Sequence, residues 1–310
     1  MITSFILPGQ CRRHMIAPWH PDHPRRLDAI ERQLALSGVA RQLQHFDALP
    51  VAPDMLRLAH TPDYLALLAD AADSDTPVAL DEETLVNADN WDAARCAAGG
   101  VIKGVNQLFR NQADNVFCAV RPPGHHAEKA QGMGFCLINN VALAACYARR
   151  HYDIQRIAII DIDAHQCNGT LDILAHDHDI LICTLYQQGL YPWSSANENA
   201  PNVESLPLPA GSTGQQARDR CLHQWMPRID AHRPELILIS AGFDAHRDDP
   251  MTELAFDSGD YFDLTRDILA MAERHANGRV LSVLEGGYHL ESLAPSVNAH
   301  LSAMIGLERP

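Results

Sequence analysis

Lysine is nearly missing from this chain. Only Lys103 and Lys129 stand among 24 basic residues, set against 39 acidic ones, for a formal net charge of −15. Phosphate binding is driven by clustered Lys and Arg, so this balance excludes an ordinary nucleic-acid binder. The surface suits solubility, and beyond that cationic partners or metal ions. Cys-x-x-Cys is also absent. The eight cysteines (11, 96, 118, 136, 146, 167, 183 and 221) sit mostly in apolar runs. They read as reduced, buried thiols of a cytoplasmic protein, not as a disulfide framework or zinc knuckle. Long apolar runs are lacking too. Residues 130–148 carry no charge, but Gly132, Gly134, Asn139 and Asn140 interrupt them, which argues against a membrane span. Residues 1–8 have an apolar stretch with no basic region before it, a poor signal peptide. No repeat or low-complexity linker divides the sequence, so residues 1–310 are read as a single domain. Its 46% hydrophobic content excludes a disordered chain.

What is present is an alternation. Short apolar, β-branched runs at 116–120, 157–161, 180–185, 236–240 and 280–284 read as buried strands. Helical patterns at 92–109, 141–150, 215–229, 260–275 and 293–307 separate or follow them. Continuous apolar strands between helices indicate an α/β protein with a parallel sheet covered on both faces. The first ninety residues are less regular, although Thr61-Pro62 is a good helix start. Between Asp54 and Asp92 lie ten acidic residues and one base, Arg57. Such a run is ordinarily a solvated face; the sharper reading is an acidic lip for a lysine-rich substrate.

Polar clusters sit at the ends of four of these strands. They are Arg121-Pro-Pro-Gly-His125-His126, Asp161-Ile-Asp163-Ala-His165, Ser240-Ala-Gly-Phe-Asp244 and Glu285-Gly-Gly-Tyr288. Ligands of open α/β sheets bind beyond the carboxyl ends of the strands, so the shared phase converges the clusters on one place. Asp163 and His165 are two apart and, on an extended segment, point the same way. With Asp244 they form one imidazole and two carboxylates, a set suited to a borderline divalent cation such as zinc. Asp161 would stand behind them. His125 and His126 follow a rigid turn and can serve as base and acid. Tyr288 follows two glycines and can donate to an oxygen gaining negative charge.

These motifs, with Gly134-Phe-Cys-Leu-Ile-Asn-Asn140 and Asn168-Gly-Thr170, resemble the zinc-dependent histone deacetylases, especially class II and bacterial histone-deacetylase-like amidohydrolases. The resemblance runs in order from about His20 to Leu293. It implies an arginase/deacetylase fold with a central, mostly parallel eight-stranded sheet and helices on both faces. It implies one Zn2+ held by Asp163, His165 and Asp244, and hydrolysis of acyl-lysine-type amides by a metal-activated water. His126 would be the general base and acid, with His125 as its electrostatic partner. Asp161 would orient His125, Asn168 would orient His126, and Tyr288 would stabilise the oxyanion. Gly134, Phe135, Tyr191 and Met251 would line a substrate tunnel. Asp161 and Thr184, with the backbone of Asp163 and His165, would hold a structural K+. Arg26 resembles an arginine of the product-release region.

Three departures bear on substrate choice and chemistry. Gln166-Cys167 replaces the usual His-Gly, with no expected loss of metal ligation. Residues 193–197 replace the familiar Gly-Thr-Gly beside the tunnel. Met251 stands where polyamine-specific relatives carry a glutamate, which counts against polyamine specificity, although an acetylpolyamine or other small-amide amidohydrolase stays as the alternative. An arginase-like two-manganese enzyme would need an aspartate where His246 stands. An inactive acyl-lysine-binding protein would have no need to keep the ligands, both histidines and Tyr288. The partner is therefore an acylated lysine in a protein or peptide, or a small acylated amine, with no nucleic acid and no membrane. A homo-oligomer is compatible with the sequence.

Overall fold

The computed structural model describes residues 1–193 and 196–310. The strands, in chain order, are β1 (Thr3–Ile6), β2 (Leu43–Phe46), a small hairpin of β3 (Val78–Ala79) and β4 (Leu85–Val86), then β5 (Asn115–Cys118), β6 (Ile157–Asp161), β7 (Ile180–Gln187), β8 (Val203–Leu208), β9 (Leu236–Ala241) and β10 (Val280–Leu284). Eight of them form one sheet in the order β2-β1-β5-β10-β9-β6-β7-β8. Every pairing in it is parallel. The five strands expected from apolar runs all lie inside this sheet, and every residue of β5, β6, β7, β9 and β10 is buried. A strand buried at every residue needs cover on both faces, which is why these segments show no alternation.

The helices supply that cover. They are α1 (Arg25–Ser37), α2 (Pro53–Leu56), α3 (Pro62–Ala72), α4 (Ala88–Phe109), α5 (Asn140–His151), α6 (Asn168–Leu174), α7 (Gly214–His232), α8 (Ser258–His275) and α9 (Leu290–Met304). α4 packs on α3 and α5, while α9 packs on α1 and α8. The expected start of α3 is present: Thr61 accepts the Tyr64 N–H at 3.3 Å, and Pro62 takes the first helical position. The Tyr64 hydroxyl then donates to the Leu137 carbonyl at 2.8 Å, fastening α3 to the segment that carries Gly134 and Phe135.

Three strands of this sheet were not expected from the sequence. β1 opens on Thr3 and Ser4, both buried, and is only four residues long. β2 and β8 are the two edges of the sheet, and each exposes part of its length. β8 also contains Pro207, which an edge tolerates and a central strand does not. The irregular first ninety residues therefore contribute two parallel strands, with β1 pairing β2 and β5. No described helix is long and apolar enough to cross a membrane.

Candidate active site

β6 ends at Asp161, and the chain then bends. Asp163 and His165 lie in that bend, not on the extended segment that sequence spacing suggested. The bend is stitched by its own carboxylates. Asp161 Oδ1 accepts the Asp163 N–H at 3.0 Å, and Asp163 Oδ1 accepts the His165 N–H at 2.9 Å. Such side-chain-to-backbone bonds two residues on mimic a turn. They aim both side chains at Asp244, which follows β9 and accepts the Ala164 N–H at 2.9 Å. His165 Nδ1 ends 3.0 Å from Asp163 Oδ1 and 3.0 Å from Asp244 Oδ2.

These three buried residues offer ligand atoms within 4.8 Å of one another, and among the described residues they are the one such group of at least three His, Cys, Asp or Glu. Gly286 makes room for them, since a Cβ there would stand 2.2 Å from Asp244 Oδ2. The charges ask for a cation. Burial and the Asp163 charge raise the Asp244 carboxyl to about 7. Against its burial, Asp244 and Asp163 raise the His165 imidazole to about 10. Two carboxylates and an imidazole, all withdrawn from water, fit a divalent metal such as zinc.

The loop after β5 brings two histidines whose environments differ. His125 Nδ1 lies 3.1 Å from Asp161 Oδ2, and against burial the carboxylates of Asp163 and Asp161 raise its pKa to about 10. His126 Nδ1 lies 2.7 Å from Asn168 Oδ1, an amide that adds no charge. Burial, then the positive charges of His125 and His165, push His126 well below its usual value. Adjacent residues are thus held as a cation and a neutral ring, with centroids 4.0 Å apart. Splitting a pair in this way separates an electrostatic role from a proton-accepting one.

Tyr288 arrives from the β10 end. Burial raises its phenol well above the usual value, opposed by the Arg26 charge, so the hydroxyl keeps its proton. Its ring meets Phe135 edge-on at 5.8 Å. A cavity of about 130 Å³ opens onto His126, His165 and Tyr288, walled by Gly134, Phe135, Tyr191, Trp193 and Met251, with Glu83 at its edge. All four residues expected in a tunnel line this cavity. Gly134 has φ +56°, and a Cβ there would lie 2.7 Å from the His126 ring and 2.9 Å from Tyr191, so only glycine leaves the passage open. A larger cavity of about 400 Å³, lined by Arg156, His232, Arg233, Arg274 and His275, lies where β6 and β9 begin. That is the other end of the sheet, and none of the polar clusters reaches it. Of the departing 193–197 segment, Trp193 borders the cavity, whereas Ser194 and Ser195 lie outside the described residues.

Asp161 and Thr184 sit opposite one another in the β6–β7 register, both buried. Arg26 donates to the carbonyls of Gly287 and Glu285, each at 2.6 Å, and its guanidinium stands 4.9 Å over the Tyr288 ring. It does so as part of a buried network that sequence reading missed. Asp22 Oδ1 accepts from Arg26 at 2.9 Å and from Arg121 at 2.5 Å, and His14 Nε2 lies 3.2 Å from Asp22 Oδ2. Burial would raise the Asp22 carboxyl, but Arg121, His14 and Arg26 hold it well below the usual range. Glu285 was also missed. Its Oε2 accepts the backbone N–H of Gly124 at 2.6 Å and of His125 at 3.2 Å, holding the histidine loop. Asp249 does the same for the tyrosine loop, accepting the N–H of Tyr288 at 2.6 Å and of His289 at 3.1 Å. Glu285 opens the Glu285-Gly-Gly-Tyr288 cluster and Asp249 lies five residues past Asp244, and that nearness was the available signal.

A family model described as the histone deacetylase domain matches residues 20–304. A protein named probable deacetylase from Archaeoglobus fulgidus is 31% identical, with 99% of this chain and 88% of that protein covered. The histone deacetylase-like amidohydrolase of Pseudomonas aeruginosa is 31% identical over 88% of this chain and 73% of its own length. The crystal structure of the HDA15 HD domain superposes with a TM-score of 0.91 at 28% identity, covering 100% of this chain and 89% of that one. With an all-parallel eight-stranded sheet and four polar clusters at one end of it, this chain belongs to the histone deacetylase family.

Proposed function

We propose that this protein is a zinc-dependent amidohydrolase that removes the acyl group from acyl-lysine-type amides. The observation that carries the reading is convergence: His165 of the buried triad, a neutral His126 and a protonated Tyr288 all line one narrow cavity. Bound by Asp163, His165 and Asp244, zinc would supply a Lewis acid that polarises the amide carbonyl and makes water acidic enough to attack near neutral pH.

The chain's own residues do the rest. Phe135 and Tyr191 flank the aliphatic part of the acyl-lysine, and the Gly134 carbonyl accepts the amide N–H. His126, uncharged at its unbonded nitrogen, takes the proton of the attacking water as the new C–O bond forms. The nearby His125 cation favours the negative charge that develops, and Asn168 keeps the His126 ring turned toward the cavity. The Tyr288 hydroxyl donates to the oxyanion. His126 then hands its proton to the leaving nitrogen as the C–N bond breaks, releasing a free amine and a carboxylic acid that ionises to carboxylate by losing its remaining proton to water. Asp161 and Thr184, with the carbonyls of Asp163 and His165, would hold a structural K+ beside the site.

Tyr288→Phe removes one donor to the oxyanion, so turnover of an acyl-lysine substrate should fall about 10²–10³-fold. Zinc content, measured by elemental analysis, should be unchanged. Full activity in the folded variant would overturn the role of Tyr288. Activity that survives complete removal of metal would overturn the proposed reaction.

A further inference from the structure

The four tryptophans divide sharply by exposure. Trp91 and Trp225 are buried, whereas Trp19 is 82% and Trp193 79% exposed. Leaving two indoles in water near one opening forgoes a large burial gain and marks a surface built for an occupant. Trp193 lines the cavity and meets Tyr191 edge-on at 5.5 Å. Trp19 stands on the Phe135 side, next to His20, whose ring lies 4.4 Å from that of Phe135. Trp19 is not itself part of the cavity wall. An occupant that meets both indoles must continue past the opening, as a peptide does and a short diamine does not.

The turn joining β3 to β4 carries Asp81, Glu82 and Glu83, of which Glu83 lines the cavity. Asp81 is committed, accepting the Glu83 N–H at 2.8 Å and the Gly134 N–H at 3.0 Å. The Glu83 carboxylate lines the cavity yet has no hydrogen bond or ion pair with its side chain among the described residues. No Lys or Arg lines that cavity to balance it. Burial, then the charges of Asp81 and Glu82, raise its pKa against the lowering effect of His165. A free carboxylate and an exposed indole on the wall of one cavity offer charge attraction and a π-face to one ammonium or guanidinium group.

We infer that the rim selects acyl-lysine carried in a basic peptide, with Glu83 and Trp193 receiving a cationic side chain next to the acyl-lysine. The inference rests on the amidohydrolase reading only for where the scissile amide sits. The net charge of −15 would add long-range steering of such a peptide, sensitive to salt.

The test uses two acetyl-lysine peptides identical except for one neighbour, arginine in one and its neutral isostere citrulline in the other. Turnover is measured with the zinc-loaded full chain, and binding by fluorescence anisotropy in the Tyr288→Phe background, where substrate persists. The arginine peptide should bind about tenfold more tightly, with the gain in KM and not in kcat, and the gain should shrink with added salt. Glu83→Gln should bring the arginine-to-citrulline ratio close to one, and Trp193→Ala should lower it about threefold. Equal binding of the two peptides to the parent protein overturns the inference, as does a ratio that survives Glu83→Gln. A larger charge ratio for N-acetylputrescine over N-acetylbutylamine than for the peptides overturns the assignment to a peptide. Charge-dependent binding without cleavage of either peptide supports the rim and overturns the amidohydrolase reading.

Discussion

The floor beneath the site and the acid-rich segment beside it use the same kinds of charge to different ends. On the floor, Asp22, Arg26, Arg121 and His14 are wholly out of water, and one carboxylate serves all three partners. In residues 54–92, Asp54, Asp89 and Asp92 pair with Arg57, Arg13 and Arg95 at 2.9–3.3 Å, with the carboxylates at least half exposed. Water and salt screen the second set to roughly 0–1 kcal/mol per pair. The first set gains little over an apolar core while intact, but breaking it strands charges where nothing can solvate them. Location in the dielectric, not the number of acids, decides what each carboxylate does. The expected acidic lip narrows accordingly: of the ten acidic residues, Glu83 alone lines the cavity.

Removing the shared carboxylate should give the largest effect. Asp22→Ala leaves two buried guanidiniums unpaired and should cost about 3–5 kcal/mol of stability, read from the urea midpoint at constant slope. A loss below 1 kcal/mol would erase the contrast between floor and flank.

Acid should find a second weak point. His60, buried between the Glu128 carbonyl and the Asn139 N–H, is lowered by burial to about 4. A depressed histidine contributes stability above its unfolded value near 6.5 and loses it as pH falls toward 4. The loss should approach about 3 kcal/mol from this residue. His60→Gln should flatten that part of the stability–pH curve; an unchanged slope would reassign it to other groups.

Asp249 belongs to the buried kind but acts through a loop. With its two hydrogen bonds to the Tyr288 and His289 N–H groups gone, Asp249→Ala should lower kcat about tenfold or more through misplacement of the phenol. In a Tyr288→Phe background the same change should cost almost nothing further. Additive losses would mean that Asp249 does not work through Tyr288. The smallest effect should come from the flank, where Asp92→Asn should shift stability by no more than about 0.5 kcal/mol.

Much of the site was legible because its residues cluster at strand ends, and strand ends are visible wherever an apolar run stops. β5, β6, β7, β9 and β10 could be read in this way because burial on both faces leaves continuous apolar letters. β1 could not, since four residues beginning Thr3-Ser4 carry no such signature although they are buried. The bend after Asp161 was legible in its residues but not in its shape. Strand spacing and an aspartate-stitched turn both bring Asp163 and His165 together, and only the second is what the chain forms.

By itself, then, the sequence determined the parallel α/β class, the four polar clusters and their common phase. Each of those is a local pattern, set by burial along one element or by a motif a few residues long. Only the tertiary structure decided that Asp22 would bind Arg121 across 99 positions, that Glu285 would hold the Gly124 N–H across 161, and which of ten acids would stand at the mouth. Those choices depend on where separate strands and loops cross in space, and no periodicity along a single chain encodes a crossing.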